Sequence, residues 1–224
     1  MKKVAFLLAF ALTGLFVLAN FTTAARNTTI EERFAVENVL DEGGAGAYGF
    51  DKAHTSIGFR VKHMGLVEVP GFFRDFTGTI NYDPKDVTKS TVEFTAKVTS
   101  VDTGVAPRDT HLRSADFFEV EKYPDLTFKS TKIEKKDKGL ILTGDLTMKG
   151  VTKSISFPFN IAGFIKGERG TRMGATAETV VNRKDFGVNY DNKLPNGTSA
   201  VADNITVVLN IEANMAAPKP EAAK

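Results

Sequence analysis

Apolar and polar residues alternate along most of the chain. Ile57, Phe59 and Val61 alternate with Ser56, Gly58, Arg60 and Lys62. Phe76, Gly78, Ile80 and Tyr82 alternate with Thr77, Thr79 and Asn81, and Val92, Phe94, Ala96 and Val98 alternate with Glu93, Thr95 and Lys97. Leu126 and Phe128 share a face, as do Leu140, Leu142, Gly144 and Leu146, and Ile155, Phe157, Phe159 and Ile161. Residues 171–181 alternate weakly, and Ile205, Val207, Leu209 and Ile211 close the series. A period of two sends successive side chains to opposite faces of a strand. Turn signals separate the runs: Asp83-Pro84-Lys85-Asp86, Lys138-Gly139, Lys149-Gly150 and Gly167-Glu168-Arg169-Gly170. The pattern predicts about eight strands of roughly 10–13 residues.

One stretch breaks the rhythm. Pro107 to Phe118 carries a proline suited to a first helical position, with Leu112, Ala115 and Phe118 at helical spacing. It predicts a short helix between strands three and four. Eight antiparallel strands joined mostly by short turns predict an all-β fold, a closed up-and-down barrel. Eight strands leave an interior just wide enough for side chains or one small ligand. An outer-membrane barrel has the same period, but it carries aromatic girdles at both interfaces. This chain has no Trp, only 4 Tyr, and a polar C-terminal tail, which argues against that alternative.

The ends read differently. Met1-Lys2-Lys3 is a short basic segment, residues 4–18 are almost unbroken apolar sequence, and Thr22-Thr23-Ala24-Ala25 supplies small residues. Residues 1–25 are therefore expected to be a secretory signal peptide cleaved near Ala24 or Ala25, which predicts a periplasmic or secreted protein. The apolar run is short for a membrane span, which needs about 20 residues, and no later segment resembles one. Residues 26–47 read as an N-terminal arm, with Thr28 to Glu32 suited to capping a short helix and Gly43-Gly44-Ala45-Gly46 ending it. Residues 48–214 hold the barrel, and residues 215–224, with Pro218 and Pro220, read as a disordered tail.

Composition narrows the chemistry. The absence of Cys excludes a disulfide framework, a thiolate nucleophile and Cys-ligated metals. The formal charge of +2 comes from Lys2 and Lys3; without residues 1–25 bases and acids balance at 27 each. No basic field remains to attract nucleic acid.

Several motifs, in order, resemble the YceI-like family. They are Asp51-Lys52-Ala53-His54-Thr55-Ser56-Ile57-Gly58-Phe59 with Val61-Lys62-His63-Met64-Gly65, then Gly71-Phe72-Phe73 with Phe76-Thr77-Gly78. The densest part runs Ser100-Val101-Asp102-Thr103-Gly104, Arg108-Asp109-Thr110-His111-Leu112-Arg113-Ser114 and Asp116-Phe117-Phe118. Tyr123-Pro124, Phe128-Lys129-Ser130, residues 144–153 and Asn182-Arg183-Lys184-Asp185-Phe186-Gly187 complete it. The resemblance spans about residues 48–213. It implies a lipocalin-like barrel of the bacterial periplasm around an elongated apolar pocket. It also implies a bound amphiphile with an isoprenoid or similar long chain, polyprenyl or quinone-like; it does not imply catalysis, and no cofactor is expected.

The residues themselves point the same way. Phe59, Val61, Phe76, Ile80, Val92, Phe94, Val98, Phe128, Leu142, Phe157 and Phe159 are the expected apolar lining. Gly58 (by a one-residue shift), Gly78, Ala96 and Gly144 are expected to leave room on the inward faces. If the 107–118 excursion folds over a barrel mouth, Arg108, Asp109, His111 and His63 are candidates to hold a hydroxyl, carbonyl or phosphate head group, with Arg108 or Arg113 best suited to phosphate. The structural alternative makes Arg108 and Asp109 an ion pair or cap fixing the helix, with Asp102 anchoring the turn. Asn182, Arg183 and Asp185 carry the same two readings.

Catalytic constellations are not evident. His54 and His63, nine residues apart, lie roughly 30 Å apart on a fully extended strand, which disfavours a metal shared with His111. There is no Gly-x-Ser-x-Gly elbow and no phosphate loop between a strand and a helix. Two functions stand: a lipid-binding carrier with a hollow barrel, and a protein-interaction module whose barrel is filled. Oligomeric state is open, with a dimer compatible.

Overall fold

The computed structural model describes residues 42–137 and 139–216. The expected signal peptide, the arm up to residue 41 and the tail from residue 217 lie outside the described residues. Eleven strands form one antiparallel sheet that closes on itself. They follow eight paths around the barrel, because the first three paths are each interrupted once. Path one is β1 (Gly46–Phe50) and β2 (Ser56–His63); path two is β3 (Val67–Phe73) and β4 (Phe76–Tyr82); path three is β5 (Thr91–Lys97) and β6 (Val101–Asp102). The other five paths are β7 (Asp125–Lys136), β8 (Gly139–Met148), β9 (Val151–Gly167), β10 (Gly170–Asn182) and β11 (Val201–Ala216). Each path pairs with the next, and β11 returns to β1 at Gly49↔Asn214 and to β2 at Ile57↔Leu209. This is the predicted up-and-down barrel, closed where β11 pairs with β1 and β2.

The three interruptions lie side by side, and polar side chains replace the missing ladder bonds. In the first, the Ala53 amide donates to Asp51 Oδ1 at 2.8 Å. Thr55 Oγ1 donates to the Glu212 carbonyl at 2.8 Å and accepts from its amide at 3.1 Å. In the second, the Asp75 amide donates to Ser100 Oγ at 2.9 Å. Ser100 ends the 3-10 turn (Val98–Ser100) that forms the third.

The helix α1 (Ala106–Arg113) connects β6 to β7 and carries Pro107 in its first turn. It ends five residues earlier than the spacing predicts. Beyond it the Phe118 amide donates to the Leu112 carbonyl and the Val120 amide to the Arg113 carbonyl, so residues 114–123 wrap back over the helix as turns. Arg113 fixes α1 to the barrel through Nε to the Thr99 carbonyl and Nη2 to the Val101 carbonyl, both at 2.8 Å. Two expected boundaries move. The strand β1 starts at Gly46, inside the expected arm, and β11 runs to Ala216, inside the expected tail. No helix among the described residues is long and apolar enough to cross a membrane.

The lumen differs between its two halves. The half built from β1, β4 and the C-terminal part of β9 is solid. Tyr48 is fully buried there, and its hydroxyl donates to the Gly44 carbonyl at 2.8 Å. Burial pushes the Tyr48 phenol above its ordinary pKa. The Tyr82 and Phe164 rings meet at 4.8 Å, and Ile80, Val92, Leu142, Phe159 and Met173 fill the remaining space. The opposite half, beneath α1, is hollow.

Candidate functional site

The hollow half is a cavity of about 140 Å³. Its walls are Ile57, Phe59 and Val61 of β2, Phe73 of β3, Phe94 of β5, Leu126 and Phe128 of β7, Leu146 and Met148 of β8, Ile155 and Phe157 of β9, Val181 of β10, and Ile205, Val207 and Leu209 of β11. Leu112 of α1, with Phe117 and Phe118 just after it, lies across the top. Among the described residues, Thr179 and Arg183 are the only polar side chains in the lining.

Arg183 serves the wall. It is 4% exposed. Its Nε donates to the Ala202 carbonyl at 3.0 Å, Nη1 to the Val188 carbonyl at 2.7 Å, and Nη2 to the Val201 carbonyl at 3.3 Å and Asp203 Oδ1 at 2.9 Å. The guanidinium thus holds the start of β11 against the 183–188 turn. This matches the structural reading of the Asn182-Arg183 motif.

Of the eleven expected lining residues, Phe59, Val61, Phe94, Phe128 and Phe157 border the cavity. Phe76, Ile80, Val92, Val98, Leu142 and Phe159 do not; they are buried in packed core. The alternation assigns a face and says nothing of depth along the barrel, and these six lie below or beside the hollow.

The inward glycines also differ from expectation. A Cβ on Gly144 would meet Phe128 Cζ at 2.4 Å, one on Gly78 would meet Phe50 Cε2 at 2.4 Å, and one on Gly71 would meet Phe59 Cζ at 2.2 Å. The space each glycine vacates is occupied by a phenylalanine lying flat on the wall. Gly58 borders the cavity, and a Cβ there would meet the Phe72 ring at 3.2 Å; Ala96 is fully buried. The cavity stays open because Phe59 and Phe128 are folded back against the sheet.

A second chamber of about 280 Å³ adjoins the first. Phe59, Val61, Leu112, Phe117 and Val201 border both. Polar side chains join the largely apolar lining of this mouth: His63, Arg108, His111, Lys62, Thr103, Tyr190 and Asn192. Three of the four expected head-group residues therefore meet here, although His63 precedes the others by more than 40 positions. His111 Nε2 lies 2.7 Å from Asp116 Oδ2, and the ring stands edge-on to Phe117 and Tyr190 at 5.1 and 5.2 Å. Arg108 donates from Nε to Thr103 Oγ1 at 2.7 Å and from Nη2 to the Thr103 carbonyl at 2.8 Å. Its Nη1 has no protein acceptor among the described residues.

Asp109 is the exception. It is buried and accepts from the amide and hydroxyl of Thr103, so it fixes the loop before α1 instead of facing a ligand. It does not pair with Arg108. Asp102 anchors the same loop, accepting from the Gly104 amide at 2.9 Å and from Arg74 Nε at 2.8 Å. Those two bonds hold its carboxyl below the usual range.

His54 lies apart from the mouth, between β1 and β2. Donor atoms of Asp51, His54 and Glu212 come within 4.8 Å of one another, a cluster that sequence spacing does not reveal. Its carboxylates already have partners: Asn214 Nδ2 donates to Asp51 Oδ2 at 3.0 Å, and Arg172 Nη1 lies 3.0 Å from Glu212 Oε1. Asp51 is lowered from 3.8 to about 2, chiefly by the His54 hydrogen bond and then by the Ala53 amide and Asn214. The cluster ties path one to β11.

The architecture defines a class: a closed lipocalin-like barrel, solid at one end and hollow under a helical cap at the other. The YceI-like domain model matches residues 48–213, and the chain belongs to the YceI-like family. Protein YceI of Escherichia coli O17:K52:H18 is 41% identical over 152 residues, covering 66% of this chain and 78% of that relative. The crystal structure of the Campylobacter jejuni YCEI protein has a TM-score of 0.61 at 35% identity, covering 75% of this chain and 96% of that one. A polyisoprenoid binding domain from Saccharophagus degradans has a TM-score of 0.57 at 15% identity, covering 78% and 100%, and shares the fold.

Proposed function

We propose that the protein binds an amphiphile with an isoprenoid-type chain, sequestering or transporting it without chemical change. The observation that carries this reading is the pair of adjoining chambers, the inner apolar and the outer apolar with polar side chains added to its lining. A filled-barrel interaction module has no use for such a hollow. The fold shared with a polyisoprenoid binding domain supports the same cargo class.

The dimensions set the length of chain held. An apolar cavity of about 150 Å³ accommodates benzene, a six-carbon group. On that scale the inner chamber takes about one isoprene unit and the mouth about two more. Burying about 15 carbons at about 0.8 kcal/mol each yields about 12 kcal/mol gross, against association costs of about 4 kcal/mol or more. Arg108 Nη1, His63 and His111 offer donors to a hydroxyl, quinone carbonyl or phosphate at the mouth.

We further propose export: residues 1–25 direct the chain out of the cytoplasm, and the mature protein works in the periplasm or beyond. A long-chain prenyl lipid has almost no monomeric solubility there, and an enclosed apolar chamber meets that need. Native mass spectrometry of protein from the exported fraction, followed by organic extraction, tests the cargo. A one-to-one adduct with isoprene-unit mass spacing is expected. A clean apo mass with no uptake of added farnesol would refute the reading, and an intact leader on cytoplasmic protein would refute export.

A further inference from the structure

The inner chamber stops abruptly along several strands. On β9, Phe157 borders the hollow and Phe159, the next residue on that face, does not. On β5, Phe94 borders it and Val92 does not; on β11, Leu209 borders it and Ile211 does not. Phe157 stands opposite Leu142 of β8 in the ladder, and Leu142 already belongs to the packed core. Phe157 is thus the side chain at which β9 passes from hollow to solid.

Between β5 and β9 this boundary is a row of rings. Phe94 and Phe128 are cross-strand partners, stacked with centroids 5.8 Å apart and planes 23° apart. Phe128 and Phe157 meet at 5.7 Å, tilted by 50°. Behind the row Val92, Leu142 and Phe159 are buried in the solid end. Interiors are packed as densely as organic crystals, so a ring of this row has no void to retreat into. The row offers an apolar surface with no polar group, whereas His63, Arg108 and His111 lie at the mouth. An amphiphile therefore enters tail first.

We propose that the Phe94–Phe128–Phe157 row is a chain-length stop, with Phe157 the residue that determines length specificity. The tail of the chain abuts the rings while the head group stays at the mouth, so the protein selects about three isoprene units. The identity of the chain rests on the proposed cargo; the stop itself is measurable with any linear amphiphile. Without a stop, each added unit would bury more methylenes and affinity would keep rising. With it, an added unit stays in water.

Native mass spectrometry tests this by reading relative occupancy for two series. Geraniol, farnesol and geranylgeraniol carry two, three and four isoprene units; octanol, dodecanol and hexadecanol are straight chains of matching length. In wild type, farnesol is expected to bind at least tenfold tighter than geraniol, and geranylgeraniol no tighter than farnesol. The straight chains should follow the same order. Phe157→Ala removes a ring from the stop, which makes room for about one more unit, and should bind geranylgeraniol at least tenfold tighter than farnesol. Phe159→Ala removes the same ring from behind the stop and should keep the wild-type preference. Thermal melting checks that each variant is folded; should Phe157→Ala not fold, the smaller truncation Phe157→Leu is expected to shift the ratio severalfold in the same direction. Affinity that rises another tenfold at geranylgeraniol in wild type overturns the stop and leaves the cargo reading supported. An unchanged preference in folded Phe157 variants, or an equal shift in Phe159→Ala, overturns the role of Phe157. A length limit among the straight chains with no prenol bound removes the cargo reading and leaves the stop supported, and binding of neither series overturns both.

Discussion

The substitution Gly144→Ala tests how the cavity is kept open. The backbone at Gly144 lies outside the left-handed region, so alanine is conformationally allowed there. Entropy of the unfolded chain alone would make the change stabilising by about 0.4–1 kcal/mol. The new Cβ, however, falls 2.4 Å from Phe128 Cζ and 2.6 Å from the Lys129 carbonyl oxygen. The ring must move about 1 Å to reach ordinary contact, and Phe94 and Phe157 confine it at centroid distances of 5.8 and 5.7 Å. Overpacking of this kind costs about 1–3 kcal/mol. Phe128→Ala alone should cost about 3–5 kcal/mol. In the double variant the ring clash is gone and only the carbonyl contact remains, so the two costs should couple by about 1–2 kcal/mol, within the range for touching residues. Guanidinium unfolding followed by circular dichroism measures this, since the chain has no Trp for fluorescence. The functional readout is farnesol affinity. A ring pushed off Gly144 moves into a chamber of about 140 Å³, so Gly144→Ala should lose uptake at least tenfold and Phe128→Ala/Gly144→Ala should regain it. Additive costs, with coupling below about 0.5 kcal/mol, would refute the idea that Phe128 is held flat against the wall by the glycine.

Three further outcomes are expected. Arg183→Met should destabilise the fold by about 3–5 kcal/mol in thermal unfolding, because it strips buried carbonyls and Asp203 of their donor; a loss under about 1 kcal/mol would show that water replaces the guanidinium. Asp51 has a depressed folded-state pKa, about 2 against 3.8, so its contribution is present above about pH 4 and lost as pH falls toward 2. Asp51→Asn should therefore melt below wild type at pH 6 and converge with it near pH 2, and a constant gap would remove the assignment. Arg108→Ala should weaken farnesyl phosphate binding at least tenfold while leaving farnesol unchanged, with Thr103→Val as the control for loop damage; equal affinities for both ligands in both proteins would take the head group away from Arg108.

Much of the barrel was legible because strand pleat is written in single residues. Ile57, Phe59 and Val61 name their own face, and so do Phe157 and Phe159. The one excursion, at Pro107, was equally plain. What escaped was the interrupted geometry of the first three paths. Thr55 and Ser100 stand in for ladder bonds through side-chain hydroxyls, and no periodicity announces that. The start of β1 escaped because Gly43, Gly44 and Gly46 read as a break, whereas the structure uses Gly46 within a strand.

The site was half legible for a related physical reason. Period-two patterning fixes whether a side chain points inward but not how far along the barrel it sits. Phe159 and Phe157 are two residues apart on one strand and one face, yet only Phe157 borders the hollow. What separates them is the filling at their level. Phe159 packs among the side chains of the solid end, where Tyr48, Tyr82 and Phe164 meet, while at the level of Phe157 the phenylalanine two strands away on β7, Phe128, has retreated over Gly144 of the intervening β8. Hollowness is thus a property of pairs across strands, Phe59 with Gly71 and Phe128 with Gly144. The register that creates those pairs is set by turns and breaks many residues away. A phenylalanine next to a glycine on the adjacent strand, near a capped barrel end, is the signal that separates a lined cavity from a filled core.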